Sequence, residues 1–176
     1  EFERIAELRG WWLDRMARGP RPLEEKLVLF WHGHFATSFQ KVRDAYYMWL
    51  QNETFRRNAS GSWAKMLREV TGDPAMLIWL DQAQSNKQHP NENYAREILQ
   101  LFSIGLYRLW PDGTLVMNSK GTVVPTYDQQ EILGFAAVFT GWNYHQTNLA
   151  SGRLPTWWYP PRNWTNDLTL VPSHHD

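Results

Sequence analysis

Short apolar runs at helical spacing, each closed by a glycine, a proline or a capping residue, constrain this chain of 176 residues more than any other feature. From Pro22, the positions Leu23, Leu27, Phe30 and Trp31 follow the i, i+4, i+7, i+8 rule of one helical face, and a proline is tolerated in a first turn. That run leads straight into His32-Gly33-His34. A second helical stretch extends roughly from Val42 through Tyr46, Trp49 and Leu50. A third is announced by Gly61-Ser62, with Trp63, Met66, Leu67 and Val70 on one face. Asp73-Pro74 then supplies a cap and a first-turn residue for the short segment from Ala75 to Leu80.

The best-defined helix follows His89-Pro90. Asn91 can cap its free amides, Tyr94, Ile98, Leu101 and Phe102 line one face, and Gly105 ends it. Next, Pro111-Asp112-Gly113 and the stretch from Asn118 to Gly121 flank two β-prone runs, which read as a small hairpin inserted at about 107–126. Asp128 and Glu131 have capping-box spacing, Tyr127 and Ile132 can form a hydrophobic staple, and Ile132, Phe135, Ala136 and Phe139 give the last helix its buried face. Residues 142–176 are rich in Trp, Pro and Asn and show no period. The expectation is a mainly α fold: a compact multi-helix domain over 1–141, a β-hairpin insertion, and an irregular aromatic-rich C-terminal segment packed on it. Together these form one domain, read as a fragment truncated at both ends. Asp73, Asn91 and Asp128 are assigned to caps and Asp81 to a helix end.

Composition narrows the function classes. Lys plus Arg and Asp plus Glu number 18 each, so there is no net charge to draw the chain onto nucleic acid, where affinity rests on neutralising many phosphates. No apolar run approaches the roughly 18 residues of a membrane span. The absence of Cys excludes disulfides, thiolate metal sites and a thiol nucleophile. No Gly-rich phosphate loop, Gly-x-Ser-x-Gly elbow or His-Glu-x-x-His helix is present, which removes the common nucleotide, serine-hydrolase and zinc-protease signatures.

Several segments, taken in order, carry a resemblance. They are the run from Lys26 to Phe35, Gln51-Asn52 with Phe55-Arg56 and the stretch from Asn58 to Gly61, the stretch from Asp73 to Leu77, and the stretch from Pro90 to Glu97. The run from Leu101 to Gly105, the run from Phe139 to Trp142 and the closing His174-His175-Asp176 continue it. In these the chain resembles a bacterial family catalogued as a domain of unknown function, number eighteen hundred in that series. Its members are usually longer and often carry export signals, so the resemblance implies a periplasmic or secreted setting, with no established chemistry. The segment around Asn118 departs from the commoner family pattern, which passes more directly to the Asp128 helix.

The candidate site residues are few. His32 and His34 could share one metal ion if the backbone there is extended, but on a continuous helix they lie about 200° apart and His34 falls with Phe30 and Trp31. The outcome depends on whether Gly33 breaks the helix; a locally satisfied core histidine is the commoner case. Glu97 flanks the apolar face of its helix, in a polar stripe with Asn93 and Gln100. There it could serve as a general base with a raised pKa or as a ligand, or else pair with an arginine. Glu92 and Arg96 read as an ordinary surface pair. His174, His175 and Asp176, joined to His32, His34 and Glu97, would give the mixed nitrogen and oxygen set that a divalent metal accepts. Trp142, Trp157, Trp158 and Tyr159 offer flat rings that could stack on sugars or merely pin the tail to the core.

Three functions compete. One is an extracytoplasmic hydrolase acting on a polysaccharide or envelope polymer, with His34 and Glu97 catalytic. The second is a non-catalytic helical module that binds glycan or assembles with an envelope protein, its histidines and Glu97 forming a buried polar network. The third is a metal or redox domain.

Overall fold

The computed structural model describes residues 1–144, 168–170 and 172–175. Its framework is helical: α1 (Phe2–Arg18), α2 (Pro22–His34), α3 (Phe39–Val42), α4 (Ala45–Asn58), α5 (Trp63–Thr71), α6 (Pro74–Trp79), α7 (Glu92–Gln100) and α8 (Gln129–Val138). Two three-residue strands, β1 (Trp142–Tyr144) and β2 (Leu168–Leu170), pair antiparallel with Asn143 opposite Thr169. The fold is mainly α.

Capping chemistry starts most of these helices. The side chains of Ser62, Asp73 and Asn91 accept from the backbone N–H of Lys65, Met76 and Asn93 respectively. Asp128 and Glu131 form the reciprocal capping box expected of them. Ile132 is buried with Tyr127 packed beside it. Asp44 caps α4 by accepting from Tyr46 and Tyr47, so that helix starts after Val42, which belongs to the short α3. Asp81 lies just past α6 in the left-handed region (φ 58°), with Lys41 bonded to its carboxylate at 2.7 Å.

The main core gathers Val28 and Phe35, Phe55, Met66 and Val70, Met76, and Tyr94, Ile98 and Phe102. Burial of these side chains from four or more helices supplies the main driving force for their association. Two sequence expectations change here. The buried face of α2 is Glu25 and Val28, continuing through the half-buried His32 to Phe35, while Leu23 and Phe30 are 68% and 60% exposed. Because α2 is apolar around most of its circumference, periodicity alone did not fix which side faces inward; the acidic Glu25 does, through the contacts described below. Helix α7 also ends at Gln100, before Phe102; the N–H groups of Leu101 and Phe102 both bond the Glu97 carbonyl at 2.9 Å as the helix closes.

The β-hairpin expected at about 107–126 is not formed. Instead there are isolated bridges, Tyr107 with Pro125, Leu109 with Leu115, and Met117 with Val123. Turns end at Gly113 (φ 85°) and Gly121 (φ 74°), conformations that favour glycine, and Asp112 and Asn118 fasten them by accepting from Thr114 and Lys120. Between turns, each arm changes partner within a few residues. Arg108 N–H bonds Val124 O, Val124 N–H bonds Val116 O, and Val116 N–H bonds Arg108 O, at 3.0, 2.9 and 2.9 Å. This closed ring of three bonds satisfies the backbone without letting any two-stranded ladder accumulate.

Candidate functional site

Helix α2 runs through Gly33 to His34, and the following Phe35 N–H bonds Trp31 O at 2.9 Å. Gly33 therefore does not break the helix, and the two histidines point about 200° apart around it. They occupy different surroundings. The His34 ring packs on Phe35 and Phe102, with centroids 4.7 and 6.0 Å away, and its Nε2 is buried without a hydrogen-bond partner among the described residues. His32 faces the other way, toward α1 and α4.

There, α1, α2, α4 and the segment leading into α3 line a partly open cavity of about 170 Å³. Helix α1 contributes Ile5, Leu8, Arg9 and Trp12; α4 contributes Met48 and Asn52; His32, Thr37, Ser38 and Phe39 complete the wall. The His32 ring meets the edge of Trp12 at 5.5 Å, and burial holds its pKa below the usual histidine value. Burial thus favours the neutral imidazole, which can donate from one nitrogen and accept at the other.

A buried ionic cluster sets this cavity's walls. Glu25 accepts from Arg56 Nε and Nη2, from Arg15 Nε, each at 2.8 Å, and from Trp12 Nε1 at 3.0 Å. The Glu25 and Arg56 side chains are only 3% and 7% exposed. Arg56 holds the carboxyl of Glu25 down to about 2, first through their hydrogen bonds; Arg15 adds to this, while burial opposes it. Arg56 also donates to Asn52 Oδ1 at 2.7 Å and to Glu53, and the guanidiniums of Arg56 and Arg15 each lie 5.2 Å from the centroid of the Trp11 ring. Trp12 and Asn52 are therefore anchored by the same ion pair and then present their remaining surface to the cavity. Sequence reasoning gave no role to Glu25, Trp12, Asn52 or Arg56. One signal was present: Asn52, Glu53 and Arg56 lie within one turn of a helix, where side chains three and four apart meet.

Glu97 lies half-buried on α7, outside this cavity, and burial raises its carboxyl above the usual range against the opposing charge of Arg96. Arg96 itself bonds Glu92 at 2.9 Å, the i, i+4 pair expected of them. His175 is set against the turn that follows α8: its Nδ1 is 2.7 Å from the Thr140 carbonyl. The His174 side chain, Asp176, Trp157, Trp158 and Tyr159 lie outside the described residues; Trp142 is half-buried at the start of β1. Among the described residues, no three His, Asp or Glu side chains come together as a set that could hold a metal ion. No described helix is long and apolar enough to cross a membrane.

No curated protein and no solved structure matches the chain. A family model described as "Protein of unknown function (DUF1800)" matches residues 1–176. The chain belongs to the DUF1800 family.

Proposed function

We propose that this domain binds one ring-sized polar unit, such as the terminal sugar of a polysaccharide or related envelope polymer, in the cavity between α1, α2 and α4. The observation that carries the reading is His32, with its pKa lowered by burial, set beside Asn52, Thr37 and the Trp12 ring around one partly open pocket. A flat apolar wall with a few fixed polar groups is what recognition of a small polar ring requires. The cavity of about 170 Å³ lies below the roughly 300–1,000 Å³ of drug-sized sites, which favours one ring over a chain of them. The envelope setting comes from the family resemblance.

Binding is favoured here over glycoside hydrolysis. Most glycosidases place two carboxyl groups on either side of the scissile bond, and among the described residues no Asp or Glu lines this cavity. The neighbouring Glu25 has both oxygens engaged by Arg15, Arg56 and Trp12. His34 and Glu97, the catalytic candidates from the sequence, do not line it either. Calorimetric titration with a panel of neutral and acidic monosaccharides tests the proposal. Saturable one-to-one binding, weakened about tenfold by His32→Leu, is expected. Absence of binding by every sugar in the panel would overturn it.

A further inference from the structure

The cavity's polar groups are not free to choose their roles, because neighbours outside the cavity fix them. Asn52, only 5% exposed, gives its Oδ1 to Arg56. Arginine has donors only, so the carboxamide oxygen must face Arg56 and the Nδ2 group is turned away from it. That Nδ2 makes no hydrogen bond among the described residues, and Asn52 lines the cavity. Although the residue is buried, Nδ2 is not among the described polar atoms sealed from solvent without a partner, so it is a donor open to an acceptor in the cavity.

The opposite holds for Thr37. Its hydroxyl donates to Gln51 Oε1, while Gln51 Nε2 donates to Asp73 Oδ1 at 3.1 Å. Asp73 Oδ1 also accepts from Met76 N–H at 3.0 Å, which orients the carboxylate and, through it, the Gln51 amide. With its hydrogen committed to Gln51, Thr37 has only lone pairs left for the cavity. Arg9 stands at the wall as an exposed guanidinium with no acidic partner among the described residues.

Resting on the binding reading above, we propose that the ring is an acidic one, a uronate, with its carboxylate on Asn52 Nδ2 and Arg9 and a ring hydroxyl donating to Thr37. A fixed neutral donor and an unpaired guanidinium on one cavity select an anionic acceptor, and charge-assisted hydrogen bonds are stronger than neutral ones. A neutral sugar could meet Asn52 but would leave Arg9 without a counter-charge. An amino sugar would bring a cation against Arg9.

Glucuronate and glucose, titrated separately into the full chain at neutral pH, decide the matter. Glucuronate should bind at least about tenfold more tightly than glucose. Asn52→Asp keeps the oxygen that Arg56 holds, removes the donor, and should abolish that preference. Arg9→Gln, on the surface and so without consequence for folding, should reduce it severalfold. Equal affinities for the two sugars, both weakened about tenfold in His32→Leu, would overturn the acidic assignment and leave the binding reading standing. No binding of either sugar would overturn both. If Asn52→Asp does not fold, Arg9→Gln decides alone, and an unchanged preference there overturns the assignment.

Discussion

Arg56 holds Glu25 by two parallel hydrogen bonds of 2.8 Å, Nε to Oε1 and Nη2 to Oε2, with both side chains almost wholly removed from water. Desolvating two charges is expensive, and the geometry here offsets it: the fork is bidentate, and Arg15 and Trp12 bond the same carboxylate. The pair links α2 to α4 and, through Trp12 and Arg15, to α1. Those three helices carry most of the cavity wall.

Removing one partner should therefore be severe. Glu25→Gln or Arg56→Met is expected to lower stability by about 3–5 kcal/mol in denaturant titrations, because the other charge stays buried without its counter-ion. The double variant Glu25→Leu/Arg56→Met should recover a large part of that loss. A double variant as unstable as the sum of the singles would show that the two residues act independently.

The pH dependence has two parts of opposite sign. Glu25 is lowered from its ordinary 4.5 to about 2, so its contribution is fully present above about 4.5 and is lost as pH falls between 4.5 and about 2. Burial raises Asp73 from 3.8 to about 7, and its Oδ2 has no hydrogen-bond partner among the described residues. Between those values the unfolded chain binds fewer protons than the folded one, so stability falls as pH rises from about 4 toward 7. Asp73→Asn keeps the oxygen that caps α6 and should flatten that decline without changing the acid limb. Chemical denaturation at several pH values would measure both, and an unaltered slope between pH 4 and 7 in Asp73→Asn would contradict the assignment.

Gly33 lies inside α2 at an exposed position, and a methyl group there meets no atom within 4 Å. Gly33→Ala should then stabilise the protein by about 0.5–1 kcal/mol, since glycine is a poor helix former. Destabilisation would mean that the chain needs glycine at this point, and with it a break between His32 and His34.

His34 is expected to behave as packing. Its Nε2 is buried without a partner among the described residues, so His34→Leu should be neutral or stabilising by about 1 kcal/mol and should leave sugar binding unchanged. Loss of binding in this variant, with folding intact, would return His34 to the site.

The helices and their starts were readable in the sequence because capping is local: Ser62, Asp73, Asn91 and Asp128 bond amides two or three residues away. The turns at Gly113 and Gly121 were readable for the same reason. The closed ring of Arg108, Val116 and Val124 was not, since it depends on which distant arm each short segment meets. The site divided along the same line. His32 stood out as a residue type, but its separation from His34 followed only once α2 was continuous. Glu25 was hidden because an acidic residue in a first turn ordinarily faces water and the helix dipole. Its burial becomes intelligible only when Arg15 and Arg56, from two other helices, are set around it.

Whether the cavity at His32 is the binding site can be read from ¹⁵N NMR of the histidine rings during titration with glucuronate and with glucose. The His32 ring signals should shift and saturate at the concentration where calorimetry saturates, while those of His34 stay in place. Binding that leaves His32 unmoved at saturation, or that shifts His34 instead, would contradict a site at His32.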